Sequence, residues 1–284
     1  MDAWLDIIDA YHYVVGEGPV WDEEKGLLYT VGFRENCIRI IDLGNASIKQ
    51  VNYPDLISCI VLTSEGNLLA ATEKRICLLN LDGTYEVLCD PNSFQGRRFN
   101  DGKVGPDGRF YIGSKDEAHH AALYRYSPDG SFTLLLDNVG TSNGLAWSGN
   151  GKTLFFVDSP EKVIEAFDFD IERGELCNRR EIISVPDNTG EFDGMTIDSE
   201  DMLWCAVWGA GKIYRINPYK GTVIESISVP ASQVSSCCFA GDDLKTLVIT
   251  TSSYKKDLSI EPMAGYTFAI KVDVPGQKNN RFRM

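Results

Sequence analysis

Four residues far apart in the chain carry oxygen donors of the kind that bind hard cations. Glu17 and Asp193 offer carboxylates, and Asn100 and Asn143 offer amide oxygens. Such oxygens are the ligands that Ca²⁺, Mg²⁺ and Mn²⁺ prefer in proteins. Carboxylates gathered at one point would repel each other, and a divalent cation relieves that repulsion. If the fold brings these residues together, they predict a metal site formed by Glu17, Asn143 and Asp193, with Asn100 beside it.

These four residues occupy one position of a repeated pattern. Ten or eleven residues after each of them an apolar segment begins, and such segments start at Leu27, Leu68, Phe110, Leu154, Leu203 and Leu247. Ser58 and Ser236 hold the corresponding polar position in the two remaining repeats. A period of about 40 to 50 residues is typical of β-propeller blades.

Each repeat reads as up to four short strands joined by tight turns. The turns contain Asp-Gly, Gly-Asn or Pro-Asp-Gly, as at Asp82-Gly83 and Pro106-Asp107-Gly108, and these residues supply the positive φ angles of tight hairpins. Helical periodicity is nearly absent. The sixth repeat lacks a fourth strand, so we assign residues 5–14 as the outer strand of the last blade, which closes the ring and removes its free edges.

The pattern therefore predicts an all-β fold, a six-bladed β-propeller that forms a single domain over residues 1–284. The alternative is a two-sheet sandwich or two smaller β domains. A sandwich would scatter the six polar residues, whereas the inner strands of a propeller gather them around one axis. Even then they could be strand caps and channel-filling residues around ordered water, an interpretation that suits Ser58 and Ser236 better than a metal site.

Composition limits the partners and the compartment. The net charge is −14 and the isoelectric point is near 4.7, which argues against nucleic acid and anionic membrane because both require a positive surface. The N-terminus is acidic and no long apolar run follows, so we expect neither a signal peptide nor a membrane span. Eight cysteines are too few for a disulfide scaffold. We predict a cytoplasmic protein, a monomer or weak dimer, that acts on a small molecule.

Other hydrolytic motifs are missing from the sequence. There is no Gly-x-Ser-x-Gly elbow and no zinc-binding Cys-x-x-Cys or His-Glu-x-x-His pattern. None of the three histidines, His12, His119 and His120, falls on a predicted channel-lining strand. These absences argue against a serine triad.

Five motifs together resemble one known family. They are Gly16-Glu17-Gly18-Pro19-Val20-Trp21, Arg98-Phe99-Asn100-Asp101-Gly102-Lys103, Ser142-Asn143-Gly144-Leu145-Ala146-Trp147, Asp193-Gly194-Met195-Thr196-Ile197-Asp198 and Ser235-Ser236-Cys237-Cys238-Phe239. In order and spacing, from about residue 14 to residue 272, the chain is similar to the regucalcin, gluconolactonase and luciferin-regenerating enzyme family.

The resemblance implies hydrolysis of small sugar lactones at one divalent cation. Glu17, Asn143 and Asp193 would bind the cation, with Ca²⁺ expected first and Zn²⁺, Mn²⁺ or Mg²⁺ as alternatives. A metal-activated water would attack the lactone carbonyl, and Asp193 would act as general base. Arg98, Asn100 and Glu117 would hold the substrate, although the neighbouring Arg97 could equally be the arginine that points inward.

Three departures from the family pattern put the substrate in question. Gly105 stands where the family usually has a second acid, and Gly32 replaces an aspartate in the first blade. The segment Ser114 to Ala121, part of the lid in relatives, is short and contains Glu117, His119 and His120. Two alternatives therefore stay open. One is a related hydrolase of another ester, an organophosphate or a luciferin-regeneration substrate, and the other is a calcium-binding propeller without turnover.

Overall fold

The computed structural model describes residues 5–186 and 189–284. In these two ranges it contains 24 β-strands and a short 3-10 helix at Ser159–Glu161. The strands form six four-stranded antiparallel sheets arranged as the blades of a propeller. The predicted fold class is therefore confirmed, and the two-sheet sandwich is wrong.

The blades follow one another along the chain, and the first strand of each is the innermost. Blade 1 contains β2 (Gly16–Asp22), β3 (Leu27–Gly32), β4 (Cys37–Asp42) and β5 (Ser47–Asn52). Blade 2 contains β6 (Cys59–Leu62), β7 (Leu68–Ala71), β8 (Ile76–Leu79) and β9 (Tyr85–Cys89). Blade 3 contains β10 (Arg98–Val104), β11 (Phe110–Lys115), β12 (Ala121–Tyr126) and β13 (Phe132–Val139).

The second half of the ring repeats this arrangement. Blade 4 contains β14 (Ser142–Trp147), β15 (Thr153–Asp158), the 3-10 helix Ser159–Glu161, β16 (Val163–Asp170) and β17 (Glu175–Ser184). Blade 5 contains β18 (Glu191–Ile197), β19 (Leu203–Trp208), β20 (Lys212–Asn217) and β21 (Thr222–Ser228). Blade 6 contains β22 (Val234–Ala240), β23 (Thr246–Thr251), β24 (Thr267–Lys271) and β1 (Asp6–Asp9).

The core lies between neighbouring blades, which pack face to face. Trp204 of blade 5 meets Phe239 of blade 6 edge to face, with ring centroids 5.9 Å apart. The second strand of each blade is covered on both faces by neighbouring blades. Its sequence is therefore a nearly continuous apolar run rather than an alternation of apolar and polar residues. The segment β7, Leu68–Ala71, is buried throughout.

The N-terminal strand closes the ring as predicted. Residues of β1 pair antiparallel with β24, and Asp6 lies opposite Ala269. From its end, Asp9 reaches across to blade 1, where its carboxylate accepts hydrogen bonds from Nε of Arg39 at 2.6 Å and Nη2 at 2.9 Å. Only Asp6–Asp9 of the predicted 5–14 form the strand, because the following residues cross from blade 6 towards β2.

Backbone irregularities on the inner strands coincide with the polar repeat positions. The strand register shifts between Glu17 and Val20, between Phe99 and Gly102, between Ser142 and Leu145, and between Phe192 and Met195. A β-bulge of this kind re-aims a side chain and is common next to active sites. These bulges turn the polar residues of blades 1, 3, 4 and 5 towards the channel.

In blades 4 and 5 a glycine follows the polar residue because neighbouring inner strands approach closely there. A Cβ atom on Gly144 would lie 2.6 Å from the carbonyl oxygen of Asp193, and one on Gly194 would lie 2.1 Å from Oγ of Ser236. Both distances are shorter than any side chain tolerates, so glycine is required. At these two positions, a polar residue followed by glycine therefore reflects the close approach of strands near the propeller axis.

The C-terminal residues cross one end of the channel. Asn279 Nδ2 donates to the carbonyl of Trp21 at 2.9 Å, and Asn280 Nδ2 donates to the carbonyl of Val104 at 3.2 Å. This end has a cavity of about 150 Å³ that is lined by both asparagines and by the far ends of the inner strands. The polar repeat residues lie at the other end.

Candidate functional site

The open end of the channel holds a cavity of about 240 Å³. Five of the six polar repeat residues line it, namely Glu17, Ser58, Asn100, Asn143 and Asp193. Ser236 is absent from the lining described and packs against Gly194 instead. The gathering of these residues around one axis is the arrangement that the repeat predicted.

Two buried carboxylates of this cavity, Glu17 and Asp193, lack the strong hydrogen-bond donors that would stabilise their charges. Burial and the nearby Asp101 raise the pKa of Glu17 to about 8. Burial, then Glu17 and Asp101, raise the pKa of Asp193 well above its usual value. Within the described residues, Glu17 accepts only a long bond from the amide of Gly18 at 3.4 Å, and no donor contacts the carboxylate of Asp193.

This donor set fits a hard divalent cation. Two carboxylates without strong hydrogen-bond partners and one amide oxygen face a common space, and a cation would compensate the charges that burial otherwise disfavours. The donors are all oxygen, which suits Ca²⁺, Mg²⁺ or Mn²⁺ better than a thiolate-binding metal.

A chain of hydrogen bonds fixes the orientation of Asn143. Ser159 Oγ lies 2.7 Å from the carbonyl of Phe192, which can only accept, so the serine hydroxyl donates to it. The serine oxygen then accepts from Nδ2 of Asn143 at 2.7 Å, and this leaves Oδ1 of Asn143 facing the cavity. Amide orientation is here determined by the bonding partners rather than assumed.

The same chain continues to Arg98. Nδ2 of Asn100 donates to Oδ1 of Asn143 at 2.7 Å and to the carbonyl of Ser142 at 2.9 Å. Oδ1 of Asn100 accepts from Nη1 of Arg98 at 2.8 Å. Both amide hydrogens and the amide oxygen of Asn100 are therefore engaged within the protein.

Arg98, and not Arg97, is the arginine that enters the cavity. Its guanidinium lies 4.2 Å from the centre of the Phe33 ring. Burial lowers the pKa of Arg98 to about 10, against the opposing effect of Glu17. The side chain of Arg97 is 71% exposed and points to solvent.

The structure does not bring Glu117 to the other predicted site residues. Its side chain is 79% exposed, lies 3.8 Å from Arg97 and is not part of the cavity lining. The segment around it forms a tight connection between β11 and β12, in which the amide of Asp116 donates to the carbonyl of Gly140 at 2.8 Å. Lys115 is the residue of this segment that lines the cavity.

A second group of ligand atoms lies near the rim. One atom from each of His119, Asp158 and Glu161 falls within 4.8 Å of the others. The Asp158 carboxylate already accepts hydrogen bonds from the amides of Gly140 and Thr141, at 3.0 and 2.9 Å. The repeat gave no indication of this group because its members lie outside the first strands.

The repeat pattern also missed the cavity rim. Phe33, Arg34, Glu191, Trp208 and Tyr254 line the cavity, and they lie near the beginnings and ends of strands. Their connections differ in length from blade to blade, so no periodic signal marks them.

Gly105, which departs from the family pattern, lies away from this cavity. Its neighbours Val104 and Pro106 line the cavity at the other end of the channel. A Cβ atom at position 105 would lie 2.7 Å from Cε2 of Tyr111, so the local packing requires glycine. The change leaves the candidate site untouched.

Comparison with known proteins agrees with this architecture. The family model described as the SMP-30/gluconolactonase/LRE-like region matches residues 15–253. Regucalcin of Danio rerio is 35% identical over 265 residues, which are 90% of this chain and 90% of that protein. A protein of Bacillus subtilis (strain 168) with the provisional name sugar lactone lactonase YvrE is 34% identical over 271 residues, 93% of each chain.

Solved structures of two such proteins share the fold. A luciferin-regenerating enzyme superposes with a TM-score of 0.92 at 24% identity, covering 99% of this chain and 100% of that one. A regucalcin of Agrobacterium tumefaciens str. C58, described as a calcium-binding protein, gives a TM-score of 0.93 at 24% identity, covering 99% and 98%. Within residues 5–186 and 189–284, no helix is long and apolar enough to cross a membrane.

Proposed function

This chain belongs to the SMP-30/gluconolactonase/LRE-like family, and we propose that it is a divalent-metal-dependent hydrolase of small sugar lactones. The observation that carries the proposal is the gathering of Glu17, Asn143 and Asp193 in one cavity beside Arg98. Two carboxylates and an oriented amide oxygen form a cation site, and a guanidinium beside it can contact a polar substrate.

In this proposal Glu17, Asn143 and Asp193 hold the cation, and Ca²⁺ is the first candidate because all the donors are oxygen. When bound, the cation would supply Lewis-acid chemistry, polarising the lactone carbonyl and making water more acidic. Asn100 would act indirectly, because its amide atoms already connect Arg98 to Asn143.

The protein residues would carry the proton and orient the ring. Asp193, whose carboxylate has no hydrogen-bond donor among the described residues, takes a proton from the attacking water as general base. A bond forms between the water oxygen and the carbonyl carbon, and the bond from that carbon to the ring oxygen breaks. The proton then passes to the released ring oxygen. Arg98 donates to oxygen atoms that gain negative charge.

Removal and return of the metal tests this function. We expect protein stripped with a chelator to lose hydrolysis of D-glucono-δ-lactone, and one of Ca²⁺, Mg²⁺, Mn²⁺ or Zn²⁺, added singly, to restore it. Initial rates measure the effect. Metal binding without hydrolysis of the lactone, an aryl ester or a phosphotriester would favour a calcium-binding propeller, and no metal binding would contradict the proposal altogether.

Ser159 is expected to set the affinity for the cation without touching it. Replacing Ser159 with alanine frees the amide of Asn143 to turn, so we expect the dissociation constant for the activating cation to rise about tenfold, as is typical when a supporting hydrogen bond to a metal ligand is lost. Isothermal titration calorimetry measures this constant directly. Ser148→Ala is the matched control, because Ser148 is also a buried serine of blade 4 but bonds to Asn150 instead. Equal affinity in both variants would contradict the orienting role.

A further inference from the structure

Two basic side chains of the cavity have no part in the hydrolysis proposed above. Arg34 lies in the connection between β3 and β4, and Lys115 is the last residue of β11. Both line the cavity with Arg98. The lining also contains four carboxylates, Glu17, Asp101, Glu191 and Asp193, so the question is whether any of these acids pairs with the three bases.

The three positive charges are neighbours. Lys115 lies directly opposite Arg98 in the antiparallel pair of β10 and β11, so both side chains leave the sheet on the same face. The charge of Arg34 acts on Arg98 as well, since it helps burial to lower the pKa of that guanidinium. Like charges directly opposite each other destabilise a sheet, so an anion bound close to both side chains would be favoured.

The protein does not supply that anion at ion-pair distance. Among the described residues, no carboxylate pairs with Arg34, Arg98 or Lys115. Arg34 is itself exposed at the mouth of the cavity, whereas three mostly buried arginines elsewhere in the described residues each contact a carboxylate at 2.6 to 2.8 Å. These pairs are Arg39 with Asp9, Arg215 with Asp198 and Arg281 with Asp22.

The carboxylates of the cavity have other interaction partners than these three bases. Glu17 and Asp193 are the carboxylates assigned to the cation, and Lys103 offsets the charge of Asp101. Glu191 begins β18 in blade 5, where it acts on Asp193. The three bases without an ion pair therefore lie on the side of the cavity formed by blades 1 and 3.

Arg34 is held in a way that leaves its donors available. Its guanidinium lies 5.3 Å from the centre of the Tyr254 ring, which also lines the cavity. Stacking on an aromatic face fixes a guanidinium while its N–H groups remain free at the edge. Such an edge can bind a carboxylate or a phosphate through two parallel hydrogen bonds.

We propose that Arg34 and Lys115 form a subsite for an anionic substituent, a carboxylate or a phosphate, so that the preferred substrates are acidic sugar lactones. The proposal rests on the lactonase function above and narrows its substrate class. Arg98 would still contact the lactone itself, while Arg34 and Lys115 would select the substituent.

A comparison of three lactones as substrates distinguishes a preference for phosphate from a preference for carboxylate. D-Glucono-δ-lactone is neutral, 6-phospho-D-glucono-δ-lactone carries a phosphate, and D-glucaro-1,4-lactone carries a carboxylate. We expect kcat/KM for at least one acidic lactone to exceed that for the neutral one by about tenfold or more, in line with one charge-assisted hydrogen bond. The ratio should shrink as salt is added. A kcat/KM for the neutral lactone equal to or above both acidic ones would overturn the subsite and leave the lactonase function intact.

Variants assign the preference to particular residues. Arg34→Ala and Lys115→Met should each lower kcat/KM about tenfold for the preferred acidic lactone and change it less than about twofold for the neutral one. Arg97→Ala is the matched control, because Arg97 is exposed and outside the cavity lining. Equal losses on all three lactones would contradict a substituent subsite.

A binding measurement keeps the proposal testable without turnover. We expect 6-phosphogluconate or glucarate to bind at least about tenfold more tightly than gluconate, both to chelator-stripped protein and with Ca²⁺ added, and Arg34→Ala to remove the difference. This comparison stands even if no lactone is hydrolysed, in which case the lactonase proposal fails and the subsite is judged on binding alone. Equal binding of all three acids would overturn it.

Discussion

Replacing Asp193 with alanine is expected to reduce kcat/KM for lactone hydrolysis by about a thousandfold or more. The variant loses a cation ligand and the general base together, and a general base alone contributes about 10² to 10⁴ in rate. Asp193→Asn separates the two roles, because the amide keeps one oxygen donor but cannot accept the proton from water. Titration calorimetry should therefore find weakened cation binding in Asp193→Asn, with turnover lost even at saturating metal.

Stability of the same variants gives an independent check. The metal-free protein holds the Asp193 carboxylate in a cavity with Glu17 and Asp101, where its charge is disfavoured. We expect Asp193→Asn to raise the thermal midpoint of the metal-free protein while weakening the stabilisation that added cation gives. Ser58→Ala is the control, since Ser58 lines the same cavity but donates to the backbone carbonyls of Thr72 and Phe99. A fully active Asp193→Ala would overturn the mechanism.

Replacing Asp9 with alanine is expected to lower the free energy of unfolding by about 3 kcal/mol, because it leaves a buried guanidinium without its carboxylate. Asp9 is 3% exposed, and Arg39 is mostly buried as well. The hydroxyl of Tyr13 also donates to this carboxylate, at 3.2 Å. The pair joins blade 6 to blade 1, so the loss falls where the ring is closed.

Urea denaturation of metal-free protein measures this change without a contribution from cation binding. The control is Asp90→Ala, which removes the ion pair with Arg75 on the surface. The side chains of that pair are 61% and 47% exposed, with 3.0 Å between their atoms. An exposed pair is worth at most about 1 kcal/mol. Equal effects of the two substitutions would show that the closing contact contributes no more than a surface pair.

The repeat predicted the fold and the centre of the site because both depend on a periodic constraint. Every blade must place an apolar second strand between its neighbours, and five of the six inner strands bring their polar repeat residue to one cavity. Glu17, Asn143 and Asp193 could be identified from the sequence for this reason. The closing strand could be inferred because the sixth repeat lacks an outer strand. A free strand edge promotes aggregation, so another segment was expected to pair with it.

The remainder of the site depends on contacts that have no period. Ser159 matters because one hydroxyl happens to link Phe192 to Asn143, and Arg34 reaches the cavity from a connection between strands. Glu117 was placed by family resemblance on a segment that here forms an exposed, tight turn. Such positions follow from the lengths and paths of individual loops, which local sequence patterns do not specify.

The bulges that place the polar residues of blades 1, 3, 4 and 5 have a consequence for how such a protein can change during evolution. The backbone sets the position there, and the polar side chain faces the cavity rather than the packed interface between blades. A substitution at that one residue can alter the chemistry while the blade around it keeps its shape. Blades 1, 3, 4 and 5 hold glutamate, asparagine, asparagine and aspartate at the same place. The propeller is thus a frame in which ligands can be exchanged one at a time, and new activities can evolve without a new fold.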